Sequence, residues 1–398
     1  MKQLRVLFLG GAYSQIPILQ EAKNRGYYII TCDYLPENPG HKFADEYHNV
    51  STTDFKGVFF LAKKVKADLV IAYASDPAAP VAAYVSEKLG LPGNPYESVQ
   101  ILSEKDLFRQ FLKKNKFNVP RMESITSCEN INENLKNLSF PFIIKPTDSS
   151  GSKGVSKVEN VTQIEPAVNY AFAFSRNMRI IAEEYIDNIN GDIHGDGFVI
   201  DGELVFSYLG DHIYNIKSNP FNPIGTTWPS SKSPEIIKTI EDEVFRLVKC
   251  SGFKNGPINI EVRINSEGKL YIMEVGPRSG GHFVPQAINY ATNFDMVKAY
   301  LDLLTKKNII LPQKQIGFSA YYAIHSDHEG VLKSIYIKQE LQPYIKEFHQ
   351  YIQPGETVKS FRGANAAIGI LLMTFNTREE MESIFSNMND YLELIIKK

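Results

Sequence analysis

The sequence predicts a mixed α/β and α+β chain: a parallel, doubly wound unit first, two α+β lobes next, and an α/β tail. Three observations carry this reading. Strand and helix patterns alternate over residues 1–95, the order that builds a parallel sheet. Phe140–Val155, FPFIIKPTDSSGSKGV, joins an apolar strand to a loop of serine, glycine and lysine. Pro257–Val275, PINIEVRINSEGKLYIMEV, reads as a β-hairpin with a carboxylate on each strand.

Val6–Leu9 is too short for a signal-peptide core and reads as a first strand. Helix Gln15–Asn24, strand Tyr28–Thr31, helix Phe55–Lys66, strand Leu69–Ala72 and helix Pro77–Leu89, closed by Gly90, follow in order. Gly10 and Gly11, with Asp33 ending the second strand, superficially suggest a dinucleotide site. They read G-G-A-Y-S-Q rather than GxGxxG, so an NAD(P)-dependent oxidoreductase is an alternative that leaves the later motifs unexplained. Ser75 and Asp76 close the third strand, at the edge where open α/β sheets place ligands. Asp76 serves equally well as an N-cap for the helix that follows.

Leu91–Pro95 is turn-forming and marks a boundary. Glu104–Asn115 is an amphipathic helix carrying Lys105. Strands are expected at Arg121–Ile125 and Phe142–Lys145, with a helix between them, and at Arg179–Tyr185. Strands near Phe198–Ile200 and Leu204–Tyr208 flank an Asp201-Gly202 turn. His212–Ser233, proline-rich and holding the only tryptophan, Trp228, is expected to be a long irregular stretch of the kind that often carries function. Pro234–Ser251 is helical. The tail offers strands at Phe318–Ile324, Val331–Ile337 and Ala367–Thr374 and a closing helix at Glu379–Ile396.

Bulk properties narrow the function. A net charge of −2 over 398 residues, with basic residues dispersed, argues against a nucleic-acid surface. No apolar run approaches the roughly 20 residues of a membrane span. Cys32, Cys128 and Cys250 form no CxxC pair, which disfavours zinc and disulfide frameworks and fits a reducing, cytoplasmic setting.

The chemistry-bearing residues cluster in two motifs. Lys145 ends an apolar strand, and the loop after it offers successive backbone N–H groups that can make an anion-binding concavity. Gly151 and Gly154 permit positive φ and close backbone approach. The order is not that of a Walker A loop. In the hairpin, a four-residue loop, Ser266–Lys269, puts Glu261 opposite Glu274, whereas a two-residue loop makes them diagonal. Facing like charges cost a few tenths to ~1 kcal/mol, and a divalent cation reverses that sign. Without a cation, Arg263 or Lys269 would neutralise each glutamate on a solvated hairpin. Arg278 is a natural clamp for a carboxylate or phosphate. Gly280 and Gly281 allow backbone approach, and His282 either orients substrate or caps the next helix.

Taken together, these motifs resemble the ATP-grasp superfamily, specifically its carboxylate–amine ligases, in the amino-acid ligase and carbamoyl-phosphate-synthase-like branch. The resemblance covers nearly the whole length. It implies a Rossmann-like N-terminal domain at 1–95, a first grasp lobe with a glycine-rich lid at 96–185, a second lobe with a magnesium site at 186–310, and a C-terminal α/β subdomain at 311–398. Lys105 in SEKDLFRQFLKKNKFNVP and Lys145 in FIIKP match the two nucleotide lysines. Ser149, Ser150, Gly151, Ser152 and Gly154, with Val155 behind them, match the loop that closes over the γ-phosphate. Glu183, Glu184, Tyr185 and Ile186 match the hinge strand that meets adenine, and Asp192 falls where the family has a ribose-binding glutamate. Glu261 and Glu274 match the metal ligands and Arg278 the arginine beside the transferred phosphoryl group.

Two departures stand out. The usual E-x-N-x-R reads Glu274-Val275-Gly276-Pro277-Arg278, so a third protein ligand is missing. Extra residues, Asp187–Asn190, precede Asp192. The resemblance implies ATP and Mg²⁺ (or Mn²⁺) as cofactors, small carboxylate and amine substrates, a homodimer, and amide formation through an acyl phosphate with Lys145, Arg278, Gly280 and His282 at the reacting centre. Bicarbonate and ammonia chemistry, and an ATP-binding sensor without turnover, are the alternatives.

Overall fold

The computed structural model describes residues 3–129, 131–189, 191–215, 221–312 and 317–397, and among these the chain forms four sheets. The first is built from β1 (Arg5–Leu9), α1 (Ile16–Asn24), β2 (Tyr28–Cys32), β3 (Glu46–His48), α2 (Phe55–Lys64), β4 (Leu69–Ile71) and α3 (Ala79–Leu89). Its strands are parallel in the order β3-β2-β1-β4, as the alternating pattern predicts. Val6, Leu7, Phe8 and Leu9 are all buried, so β1 has no solvent face, the mark of a parallel sheet covered on both sides. The residue capping α3 is Ala78. Asp76 is therefore not its N-cap, and its side chain is free to face the cleft described below.

The second sheet follows α4 (Tyr96–Ser103) and α5 (Lys105–Lys114). It consists of β5 (Met122–Ile125), β6 (Phe142–Pro146), β7 (Ser156–Val158) and β8 (Ile180–Glu184), antiparallel in the order β5-β8-β6-β7. The short α6 (Ile131–Asn134) lies between β5 and β6, and α7 (Ile164–Ala173) packs on the sheet through Ile164, Ala167, Val168 and Ala171. The serine–glycine loop is the β6–β7 connection.

The third sheet dominates the chain. It draws on β9 (Asp192–Ile200), β10 (Glu203–Tyr214), β11 (Pro223–Trp228), β12 (Gly256–Ile264) and β13 (Leu270–Gly276), and continues through β14 (Phe318–Ile324), β16 (Ile345–Gln350) and β18 (Gly369–Phe375). The order is β13-β12-β9-β10-β11-β14-β18-β16. Helix α8 (Pro234–Ser251) shows how local chemistry sets an element. Ser233 caps it at Ile236, Pro234 opens it, Gly252 ends it in the left-handed region, and Ile240, Val244, Leu247 and Val248 bury one face. Helices α9 (Val284–Thr292) and α10 (Met296–Leu304) cover the same layer. A fourth sheet pairs β17 (Thr357–Val358), β15 (Gly330–Ile337) and β19 (Leu392–Lys397).

The structure corrects the sequence reading in three places. The strands expected at Phe198–Ile200 and Leu204–Tyr208 are much longer, and β10 runs on to Tyr214. His212–Ser233 is therefore not irregular throughout: β11 fills 223–228, while 216–220 lie outside the described residues. Trp228 is fully buried among Phe283, Tyr321 and neighbouring apolar side chains, so it is a core residue. The expected closing helix breaks into α11 (Arg378–Ser386), α12 (Met388–Tyr391) and β19. Leu392, Leu394 and Ile396 alternate with polar or exposed residues and pair against β15, so period 2 wins over period 3.6 there.

Trp228→Ala is expected to cost about 3–5 kcal/mol of stability. Urea unfolding measures it, and an unchanged midpoint would show that Trp228 is not a core residue.

Candidate active site

One face of the large sheet forms the floor of a cleft of about 710 Å³. Strand register explains why that face is polar. Glu261 lies opposite Glu274 on one side and His194 on the other, while Arg263 lies opposite Asp192 and Asn259 opposite both Gly276 and Asp196. Residues directly opposite share a face, so these side chains gather on one surface while Ile258, Ile260 and Val262 fill the core behind it.

The hairpin reaches this register by a route that differs from a plain four-residue loop. Ile264 pairs with Leu270, Val262 with Ile272, and then Met273 is skipped before Glu261 meets Glu274. This bulge lets Ile272 and Val275 both point into the core. It also leaves the Met273 carbonyl to accept from Arg109 Nη1 at 2.9 Å.

The cleft is bordered by Lys105, Lys145, Ser149, Ser150, Gly151, Ser152 and Val155 from the lysine motifs, Glu183 and Tyr185 from the hinge strand, and Glu261, Glu274, Arg278 and His282 from the hairpin and its exit. The sequence reading thus scatters these residues over 178 positions and the fold brings them to one place. Lys105 Nζ donates to the Ser149 carbonyl at 2.8 Å and stands 3.4 Å from Glu274 Oε2. The loop lies over the cleft, with Ser152 Oγ donating to the Phe221 carbonyl at 2.6 Å. Gly151 and Gly154 have φ of +66° and +75°.

Five expected site residues lie outside the lining. Glu184 is half-exposed and pairs with Arg121. Gly154 is buried behind the loop. The Ile186 side chain is buried, and its carbonyl accepts from Arg263 Nη1 at 2.7 Å. Asp192 is held by Arg263 at 2.6 and 2.8 Å and by the Tyr214 hydroxyl at 2.7 Å, a buried ion pair within the wall. Gly280 sits beneath the Arg278–His282 turn and donates its N–H to Asp196 Oδ2 at 2.8 Å. A β-carbon there would lie 2.7 Å from Val284 Cβ and 2.9 Å from Asp196 Oδ1, so close backbone approach demands glycine.

Electrostatics tie the pieces together. Glu183 is buried between Arg109, at 2.9 Å, and Lys145. Burial opposes its ionisation, yet the two cations win and hold the carboxyl near 2. Burial, offset by Glu183 and reinforced by Arg109 and Lys105, lowers the Lys145 ammonium to about 8. Burial and the facing Glu274 raise Glu261 to about 7. Asp76 is clamped by Arg278 at 2.6 and 2.7 Å. His212 and His282 are pushed down to about 4 by burial, so both are neutral imidazoles at pH 7. His282 does not cap α9, whose N-cap is Phe283; its ring stacks on Tyr321 at 5.5 Å.

No group of three or more His, Cys, Asp or Glu side chains among the described residues is arranged to hold a metal. Two facing carboxylates with a shared, unfavourable charge are nonetheless what Mg²⁺ needs from a protein when phosphates complete its shell. The donor set fits that ion.

Sequence reading missed His194, His212, Tyr214, Asn259 and Tyr321, all on the cleft wall, and Tyr13 and Tyr351, which stack at 4.4 Å at its far end. A signal for the first was present: Asp192, His194 and Asp196 recur every second residue, the pattern of one strand face.

Comparison with known proteins adds to the geometry. Residues 138–286 match the family model described as an ATP-grasp domain. The chain carries an ATP-grasp domain. That domain contains Lys145, the loop, both glutamates and Arg278. The carbamoyl phosphate synthase large chain of Thermoanaerobacter sp. (strain X514) is 27% identical over 229 residues, covering 57% of this chain and 20% of the relative. The chain thus spans about a fifth of that relative's length. The chain also superposes over its whole length on two solved structures, each itself covered completely. L-amino acid ligase from Bacillus licheniformis is 20% identical with a TM-score of 0.84, and phosphoribosylglycinamide synthetase from Anaerococcus prevotii is 20% identical with a TM-score of 0.77. At that identity the likeness establishes the fold.

Arg109→Ala leaves the buried Glu183 with Lys145 alone and the Met273 carbonyl without its donor, and is expected to cost about 3–5 kcal/mol. Arg121→Ala, which removes an exposed partner of Glu184, should stay within about 0.5 kcal/mol. Chemical denaturation of the two variants compares them, and equal losses would contradict the buried-network assignment.

Proposed function

We propose that this protein is an ATP- and Mg²⁺-dependent ligase that joins a carboxylate to an amine through an acyl phosphate. One observation carries the proposal: two lysines, a glycine-rich loop, a facing pair of glutamates and an arginine border a single cleft. Nothing else in the fold requires Lys105, Lys145, Glu261 and Glu274 to converge.

In this reading Lys105 and Lys145 bind the phosphates of ATP, and the Ser149–Gly154 loop covers them. Glu261 and Glu274 would hold Mg²⁺, which neutralises charge on the transferred phosphoryl group. A substrate carboxylate attacks the γ-phosphorus, giving ADP and an acyl phosphate. The amine then attacks the acyl carbon, phosphate leaves, and the amide forms. Arg278 faces the developing charge, and its bond to Asp76 fixes its plane. The closed loop excludes water that would hydrolyse the mixed anhydride.

The far end of the cleft bears on substrate class. Its wall from the N-terminal sheet consists of Ala12, Tyr13, Ser14, Asn38, Ala74 and Asp76. None of these is basic, whereas a ribonucleotide substrate calls for cations around its phosphate. Gly10 and Ala12 already spend their N–H groups on the Cys32 carbonyl and the Gln15 side chain. This favours a small, unphosphorylated, amino-acid-like substrate, in keeping with the named activity of the Bacillus licheniformis neighbour. The match to carbamoyl phosphate synthase supports a second reading, in which bicarbonate is the carboxylate. A homodimer, and action in the cytoplasm, are part of the proposal.

ADP formation with amino acids presented in pairs is the direct assay, and bicarbonate-stimulated ADP release would select the second reading. Lys145→Met is expected to lower kcat by about 10²–10³-fold, the usual cost of losing one preorganised charge. Glu274→Gln should be at least as damaging. Full turnover by either variant would refute the assignment.

A further inference from the structure

We infer that Asn259 supplies the third protein oxygen of the metal site, in place of the side chain that Gly276 lacks. The inference rests on the ATP- and metal-dependent reading above. Its basis is the antiparallel ladder. Asn259 faces Gly276 and Glu261 faces Glu274, with regular pairing between the two rungs. Residues two apart on a strand share a face, so these four positions are the corners of one rectangle on the cleft floor. Three corners carry oxygen-bearing side chains, and the fourth is bare.

The bare corner has a physical reason. A β-carbon at position 276 would lie 3.1 Å from Asp76 Oδ1 and 3.3 Å from Arg278 Cζ and Nε. Any side chain there presses on the Asp76–Arg278 pair. A chain that spends this space on the pair must take a metal ligand from elsewhere, and the rung itself offers the partner position.

The orientation of the Asn259 amide is fixed by its neighbours. Its Nδ2 lies 2.8 Å from Asp196 Oδ1 and 3.3 Å from the Gly195 carbonyl, both acceptors, and 2.8 Å from His194 Nε2. The nitrogen end therefore points into that wall. The side chain is only 5% exposed, yet it borders the cleft, and its Oδ1 accepts no hydrogen bond from any described residue. The amide oxygen is therefore open to a ligand in the cleft, and a hard cation between it and the two carboxylates would satisfy all three. Mg²⁺ and Mn²⁺ are the chemical class that fits an all-oxygen set.

The test uses Mn²⁺ as the probe, titrated into the full-length protein with saturating ADP and followed by the electron paramagnetic resonance signal of the free ion. Asn259→Ala is expected to weaken Mn²⁺ binding about 10-fold or more. Asn259→Asp keeps an oxygen but loses the amide hydrogens, and it is expected to bind Mn²⁺ at least as tightly as the parent protein. A purely structural role predicts the opposite, because the new carboxylate would repel Asp196. Unchanged affinity in Asn259→Ala, or Asn259→Asp as weak as Asn259→Ala, overturns the inference and leaves the ligase reading intact. Should Asn259→Ala fail to fold, Asn259→Asp decides alone, a 10-fold loss counting against the inference. Parent protein that takes up no Mn²⁺ with ADP overturns the metal site itself.

Discussion

The interaction on which the site depends is the buried contact of Arg109 with Glu183. The guanidinium lies on α5, the carboxylate on β8, and a second guanidinium N–H reaches the Met273 carbonyl on β13. One side chain thereby joins a helix, the four-stranded antiparallel sheet and the hairpin of the large sheet. Burying such charges is costly, and the geometry recovers that cost only because Glu183 is also met by Lys145. Lys145 is fixed as a consequence: its ammonium is held at the cleft by a carboxylate that Arg109 ties to α5 and β13. The hairpin bulge belongs to the same constraint. Skipping Met273 in the ladder frees the carbonyl that Arg109 uses, and the same skip brings Glu274 level with Glu261.

The polar floor beyond this contact is a surface of unequal charges. Asp196 is entirely buried and pushed up to about 6 by that burial, although Gly280 and Asn259 both donate to it. His194 and His212 stack at 4.1 Å, which two imidazolium rings would not tolerate. They are neutral, and they act through oriented N–H and lone-pair groups on Thr226 and Asn259 rather than through charge. Positive charge in the cleft lining sits on Lys105, Lys145, Lys153, Arg263 and Arg278, and the two arginines are committed to aspartates. Lys105 and Lys145 lie against Glu274 and Glu183.

Much of this was legible from the residues in order. Lys145, the loop after it, the helix at Pro234–Ser251 and the facing glutamates announce themselves through local rules: a strand that stops, glycine spacing, capping, alternation. The unread parts depend on long-range pairing. Asp76 and Arg278 are 202 positions apart, and only packing of the N-terminal sheet against the hairpin exit makes them partners. Trp228 looked like a loop residue because prolines surround it, yet β11 is an interior strand paired on both sides and its tryptophan is enclosed. The run Asp192–Asp196 carries a strand period in polar residues, which a search for apolar alternation passes over. At the carboxyl end, helix-forming residues at Glu379–Ser386 masked the strand that follows, whose stability comes from a tertiary partner, β15.

The large sheet has a consequence for how such a molecule can change. One edge is β13, in the glutamate hairpin, and the other is β16, with β14 and β18 hydrogen-bonded in between. The final third of the polypeptide is therefore woven into the same hydrogen-bonded fabric as the glutamate hairpin, and no seam runs between them. A module shuffled in from a relative would have to break a ladder to enter. Change in what the cleft accepts is left to single side-chain replacement along the wall, or to remodelling of loops at its rim, while the woven plane is inherited whole.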